Sequence, residues 1–177
     1  MRDLIRRLLR GIDALCFVGA WVGAIACFLL SAMLILEVAT TSFFNWSQPW
    51  AIEYSTYFQA MVLFAGSGWA LRQGAHIRVN LLLALLPRAI GYLLDLLVSV
   101  FALGLSSYLT IALVDQALRT ISLGSRSYYP SETLLVWPQG ALAAAFILLT
   151  LAVAARVTRL LLGDPVEDPR AGPVTVE

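Results

Sequence analysis

Four apolar runs, Ala14–Leu36, Ile52–Leu71, Leu96–Val114 and Thr133–Ala155, dominate this sequence, and short polar connections separate them. Each comes close to the roughly 20 residues that a helix needs to cross about 30 Å of hydrocarbon. Only Glu53, at the start of the second run, brings a charge into them. Strands that cross bilayers alternate in hydrophobicity and close into barrels, and these runs do not alternate. The expected fold is therefore an all-α membrane protein with four transmembrane helices, at about residues 14–36, 52–71, 90–114 and 133–155. Composition agrees, because 60% of the 177 residues are hydrophobic, 13% are charged and the mean hydropathy is +0.82, all outside the soluble range.

Charge gives the expected orientation. All twelve basic residues are arginines. Arg2, Arg6, Arg7 and Arg10 precede the first run, Arg72, Arg78 and Arg88 lie around the second connection, and Arg156, Arg159 and Arg170 follow the last run. The other two connections hold only Arg119 and Arg126, and arginine collects on the cytoplasmic side. Both ends are thus expected in the cytoplasm. Trp46, Trp50, Tyr54, Tyr128, Tyr129 and Trp137 cluster at the proposed outer boundary, where amphipathic rings favour the headgroup layer. The first run exceeds the 7–15 residues of a signal-peptide core, so it is expected to be retained.

Two interfacial elements are predicted besides the spans. Leu4, Ile5, Leu8, Leu9 and Ile12 share one helical face opposite the first arginines, which predicts an amphipathic helix on anionic lipid. A short second one is expected from Leu81 to Leu86, ended by Pro87. Within the spans, Gly19 with Gly23, the Ala65–Gly68 cluster containing Gly66 and Gly68, and Gly140 with Ala144 are small-residue spacings that let membrane helices approach closely. The membrane domain is placed at 1–163, and the Pro, Gly and acid-rich 164–177 reads as a disordered cytoplasmic tail.

The chemistry of a catalyst is missing. His76 is the only histidine, no Cys/His cluster offers a metal site, and no Gly-rich phosphate loop or paired nucleophile and base occurs. No cofactor or nucleic acid is implied. Cys16 and Cys27, eleven residues apart in one helix, lie too far apart for a disulfide and read as small packing residues. Glu37, Glu53, Asp95 and Asp115 stand at span ends within reach of water. Gln59, inside the second span, reads as an interhelical hydrogen-bonding group.

The second connection, WALRQGAHIRVNLLLALLP from Trp69 to Pro87, resembles the signature of the small membrane subunit of TRAP (tripartite ATP-independent periplasmic) transporters, the DctQ-like family. That signature has an arginine, a short gap, His-Ile-Arg-Val-Asp-Leu and a later Leu-Pro. Arg72, His76, Arg78 and Pro87 fall on it, while Asn80 stands where Asp is usual and removes a partner for Arg72 or Arg78. The Trp50-x-x-Glu53-x-x-x-Tyr57 spacing is similar to the opening of the family's second helix, and Pro138-Gln139-Gly140 resembles the opening of its last. Together with Glu37-Val38 and Phe43-Phe44 the resemblance covers roughly residues 12–162, although Ser131 to Val136 departs from the usual pattern.

What the resemblance implies is a small permease subunit in a bacterial inner membrane, bracing a large membrane subunit. A periplasmic solute-binding protein would deliver an organic anion such as a dicarboxylate, and a sodium gradient would drive its import. Phe43–Trp50 and Ser125–Ser131 would then face the binding protein. Arg72, His76 and Arg78 are expected to hold the inner connection against lipid phosphate or helix carbonyls, and Glu53 to pair with Arg119 or Arg126 or to stand solvated. A self-contained oligomeric carrier would need a polar track at mid-membrane, which these runs lack. A non-transport assembly or sensor protein fits the composition equally well.

Overall fold

A computed structural model describes residues 2–74 and 87–166. They form α1 (Arg2–Phe44), α2 (Ala51–Ala65), α3 (Ser67–Arg72), α4 (Arg88–Leu123) and α5 (Val136–Leu162). No strand occurs among the described residues beyond one antiparallel bridge between Arg126 and Leu134. The expected short helix at 81–86 lies outside them.

Three helices, α1, α4 and α5, are long and apolar enough to cross a membrane. The second apolar run is divided into α2 and α3, of 15 and 6 residues, each too short alone. The division is slight, because Gly66 keeps right-handed backbone angles and accepts the Ala70 N–H at 3.0 Å.

The separate interfacial helix expected at the N-terminus is corrected. Its residues form the first turns of α1, which enters the apolar run without a break. No proline or turn lies at the junction, and Gly11 alone costs a helix only about 1 kcal/mol. At 1.5 Å per residue the 43 residues of α1 reach about 64 Å, twice the hydrocarbon thickness.

The ends follow local chemistry. After α1, Asn45 adopts a positive φ of 53°, and Glu37 ties down the following turn by accepting from Ser47 Oγ (2.6 Å) and Gln48 N–H (3.0 Å). Gly124 and Gly163 cap α4 and α5 in the left-handed conformation that a side chain disfavours.

Burial concentrates on α5, whose Ala143, Ala145, Phe146, Ala152, Val153, Ala155 and Leu160 are all covered. α5 touches α1, α2, α3 and α4; α1 lies along α2 and α3, and α4 lies chiefly on α5. Thr110 crosses from α4 to the Phe146 carbonyl (3.2 Å) and to Thr150 Oγ1 (2.8 Å). The outside is apolar, with Phe28 73%, Phe101 74% and Ile111 69% exposed. Such a surface suits lipid and not water.

Contacts order the helices along one axis. Arg6 meets Asp164 and Arg72 meets Asp13, so the start of α1, the end of α3 and the end of α5 share one end, with Tyr92 of α4 donating to Leu160 O nearby. Glu53, Ser131 and the Thr120–Gln139 pair share the other. The first is called the charged end and the second the loop end.

Candidate functional site

The charged end holds two ion pairs inside the bundle. Arg159 Nη2 donates to both Asp13 oxygens at 2.8 Å, and the same carboxylate lies 3.5 Å from Arg72 Nε. Arg156 Nη2 donates to the two Asp95 oxygens at 2.6 and 2.9 Å, and its Nε donates to Ser99 Oγ at 3.1 Å. The Arg156 and Arg159 side chains are only 6% and 7% exposed, so each relies on its carboxylate for compensation. The sequence reading ends the last span at Ala155, before these two arginines. α5 instead runs on to Leu162, which carries both into the packed face beside Ala152, Val153 and Leu160.

Arg72 also binds the chain beyond α5, donating from Nη1 to the carbonyls of Pro165 (3.1 Å) and Val166. Its neighbours thus include carbonyls of the segment after α5 as well as Asp13. Arg6 pairs with Asp164 at 2.9 Å, which raises the Arg6 pKa. That pair is solvent-screened and contributes little. Residues 164–166 therefore have definite contacts, and the remainder of the expected tail lies outside the described residues.

At the loop end Glu53, in the first turn of α2, is 1% exposed. It accepts from Tyr57 Oη at 2.6 Å and from Ser131 Oγ. The expected partners are corrected: Arg119 pairs with Asp115, four residues before it, and Arg126 lies 4.0 Å from Glu132. Nor is Glu53 solvated, because the loop after α4 folds over it, held by Ser127 N–H to Thr133 O (2.9 Å) and Leu135 N–H to Ser125 O (3.2 Å). The hydroxyls of Tyr57 and Ser131 satisfy the carboxylate, and a charge pattern gives no sign of them. Glu53→Gln keeps the shape but sets an amide donor against hydroxyl donors, so it is expected to cost about 1–3 kcal/mol. Faster proteolysis within Ser125–Leu134 and a lower unfolding midpoint in detergent would report it.

The close approach of α1 and α2 depends on small residues. A Cβ on Gly19 would lie 2.5 Å from the Ala65 carbonyl oxygen, and one on Gly68 2.9 Å from Cys16 Sγ. A Cβ on Gly23 would lie 3.4 Å from Gly66 N, whereas one on Gly140 would meet nothing within 4 Å. The Gly140–Ala144 spacing therefore makes no such contact among the described residues. Cys16 is buried, but Cys27 is exposed and has no packing role within them.

Gln59 makes no hydrogen bond to another helix of this chain among the described residues. It stands on the exposed face of α2 with Ile52, Thr56 and Leu63. Trp50 stacks edge-on with Tyr54 (6.2 Å), Pro138 lies in the first turn of α5, where its missing N–H is tolerated, and Pro87 is exposed just before α4. His76, Arg78 and Asn80 lie outside the described residues. No group of three or more His, Cys, Asp or Glu that could hold a metal occurs among the described residues.

Helices with lipid-suited exteriors, polar groups gathered at two ends and several crossings define a multi-pass membrane protein. The chain belongs to the tripartite ATP-independent periplasmic transporters, DctQ component, whose family profile matches residues 30–163. It is a small subunit of a TRAP transporter. No curated protein matches it.

Proposed function

We propose that this chain is the static brace of a sodium-driven importer of an organic anion, such as a dicarboxylate, in the bacterial inner membrane. It would act with a large membrane subunit and a periplasmic solute-binding protein. α2 and α3 together act as one crossing, giving four spans. The antiparallel order of the helices supports this, since α1 starts and α5 finishes at the charged end. We place that end in the cytoplasm, on the bias of arginine, with 1–163 as the membrane domain and 164–177 as its tail. The loop end then offers Phe43–Trp50 to the binding protein. Reporter fusions at residue 177 and at Ser47 test this: both on one side would overturn it.

The observation that carries the bracing role is Gln59. An unpaired amide on a lipid-facing stripe, about 12 Å along α2 from Ala51, seeks a hydrogen bond from another membrane helix. The buried Glu53, Arg156 and Arg159, by contrast, are engaged within the chain, which suits a fixed scaffold better than an ion path. Arg72 is assigned to fastening the charged end. Affinity purification of the full chain is expected to bring down a much larger membrane protein. Gln59→Leu should lower that recovery roughly threefold or more without changing the chain's own stability. Unchanged recovery, or transport by the chain alone in liposomes, would refute the role.

A further inference from the structure

Between α4, α5 and the α2–α3 segment, a cleft of about 470 Å³ opens sideways from the bundle. Its walls are apolar, including Val98, Ala102, Leu105, Leu109 and Phe146, and its head is formed by Asp95, Ser99 and Arg156. Arg156 is 5% exposed, yet its Nη1 has no hydrogen-bond partner, although Nη2 and Nε are satisfied. Leaving a buried charged donor unmet costs about 1–3 kcal/mol or more. Ser99 Oγ accepts from Nε, and so keeps its own proton to give. Two donors thus stand at the head of a greasy groove.

We infer that this cleft binds one phospholipid, with an acyl chain along α4 and the phosphodiester on Arg156 Nη1 and Ser99 Oγ. The dimensions select this occupant. From Asp95 to Leu109 the groove runs about 21 Å along the helix, so its whole atom-free space of about 1140 Å³ gives a mean cross-section of roughly 54 Å². A helix of 10–12 Å diameter needs roughly 80–110 Å², whereas a polymethylene chain with neighbours at about 4 Å fits. Depth agrees too. Arg156 lies about 30 Å along α5 from Val136, one hydrocarbon thickness, which sets its guanidinium at headgroup level with the groove leading inward.

The inference rests on the membrane-spanning reading above. Native mass spectrometry of the full chain, extracted in mild detergent with whatever subunits accompany it, reads lipid and partner separately. One phospholipid per chain is expected, and excess inorganic phosphate should not displace it. Ala102→Phe fills the groove while sparing the Arg156–Asp95 pair, and Ser99→Ala removes a donor at little cost to packing. Phosphatidylglycerol added back to the delipidated protein should bind roughly tenfold more weakly to Ala102→Phe, and measurably more weakly to Ser99→Ala. Three results would overturn the proposal: no lipid on the wild type, phosphate alone replacing it, or lipid binding unchanged in both variants while Ala102→Phe sheds the larger subunit.

Discussion

Asp95→Leu is expected to be among the most damaging single substitutions in the chain. It leaves the Arg156 guanidinium, 6% exposed, inside the bundle without its carboxylate, and an orphaned buried charge costs about 3–5 kcal/mol. For a chain of this size that corresponds to a fall of about 6–20 °C in unfolding midpoint, using the relation for soluble domains. The loss should largely vanish in Asp95→Leu/Arg156→Leu, because replacing both partners by apolar groups removes the charge as well as its compensation. Thermal unfolding in mild detergent completes the cycle with Arg156→Leu alone. A midpoint for Asp95→Leu within a degree of wild type would mean that water reaches Arg156 freely, and the pair would then have no structural weight.

That pair also shows where sequence reading stops. The apolar runs were legible because hydrocarbon thickness sets helix length: 14–36 and 96–114 lie within long helices, and 133–155 falls within α5 from Val136 onward. The ends of those helices were less legible. A run was ended at its first charge, yet α5 passes through Arg156 and Arg159 to Leu162, because an arginine facing a carboxylate on a neighbouring helix remains compatible with burial. Arg156 and Arg159, three apart on one helical face, with Asp13 and Asp95 each just before an uncharged apolar run, form a pattern that could have revealed this. Glu53 could not have been placed the same way, since its partners are a tyrosine and a loop serine with no charge to mark them. The N-terminal arginines suggested a separate surface helix, but amphipathicity reports which face is polar and not where a helix ends, and nothing between Leu9 and Ala14 breaks the backbone.

Gly19→Ala should outweigh every other single-methyl change among the glycines. Its Cβ would lie 2.5 Å from the Ala65 carbonyl oxygen, a backbone atom that moves only if α1 and α2 separate, so a cost at the upper part of the roughly 1–3 kcal/mol for overpacking is expected. Gly68→Ala meets Cys16 Sγ at 2.9 Å and Ala152 Cβ at 3.2 Å. Cys16 can rotate away, which places this variant at about 1–2 kcal/mol. Gly23→Ala, at 3.4 Å from Gly66 N, should cost less than about 1 kcal/mol. Gly104 and Gly140 have no atom within 4 Å of the new methyl, so alanine there should gain up to about 1 kcal/mol through helix propensity. Gly140 separates two kinds of packing. If its open side faces the large subunit, Gly140→Ala will leave the melting of the isolated chain unharmed while reducing recovery of the partner. The decisive comparison is Gly19→Ala against Gly140→Ala in detergent unfolding, and equal midpoints would show that α1 and α2 do not meet as closely as 2.5 Å implies.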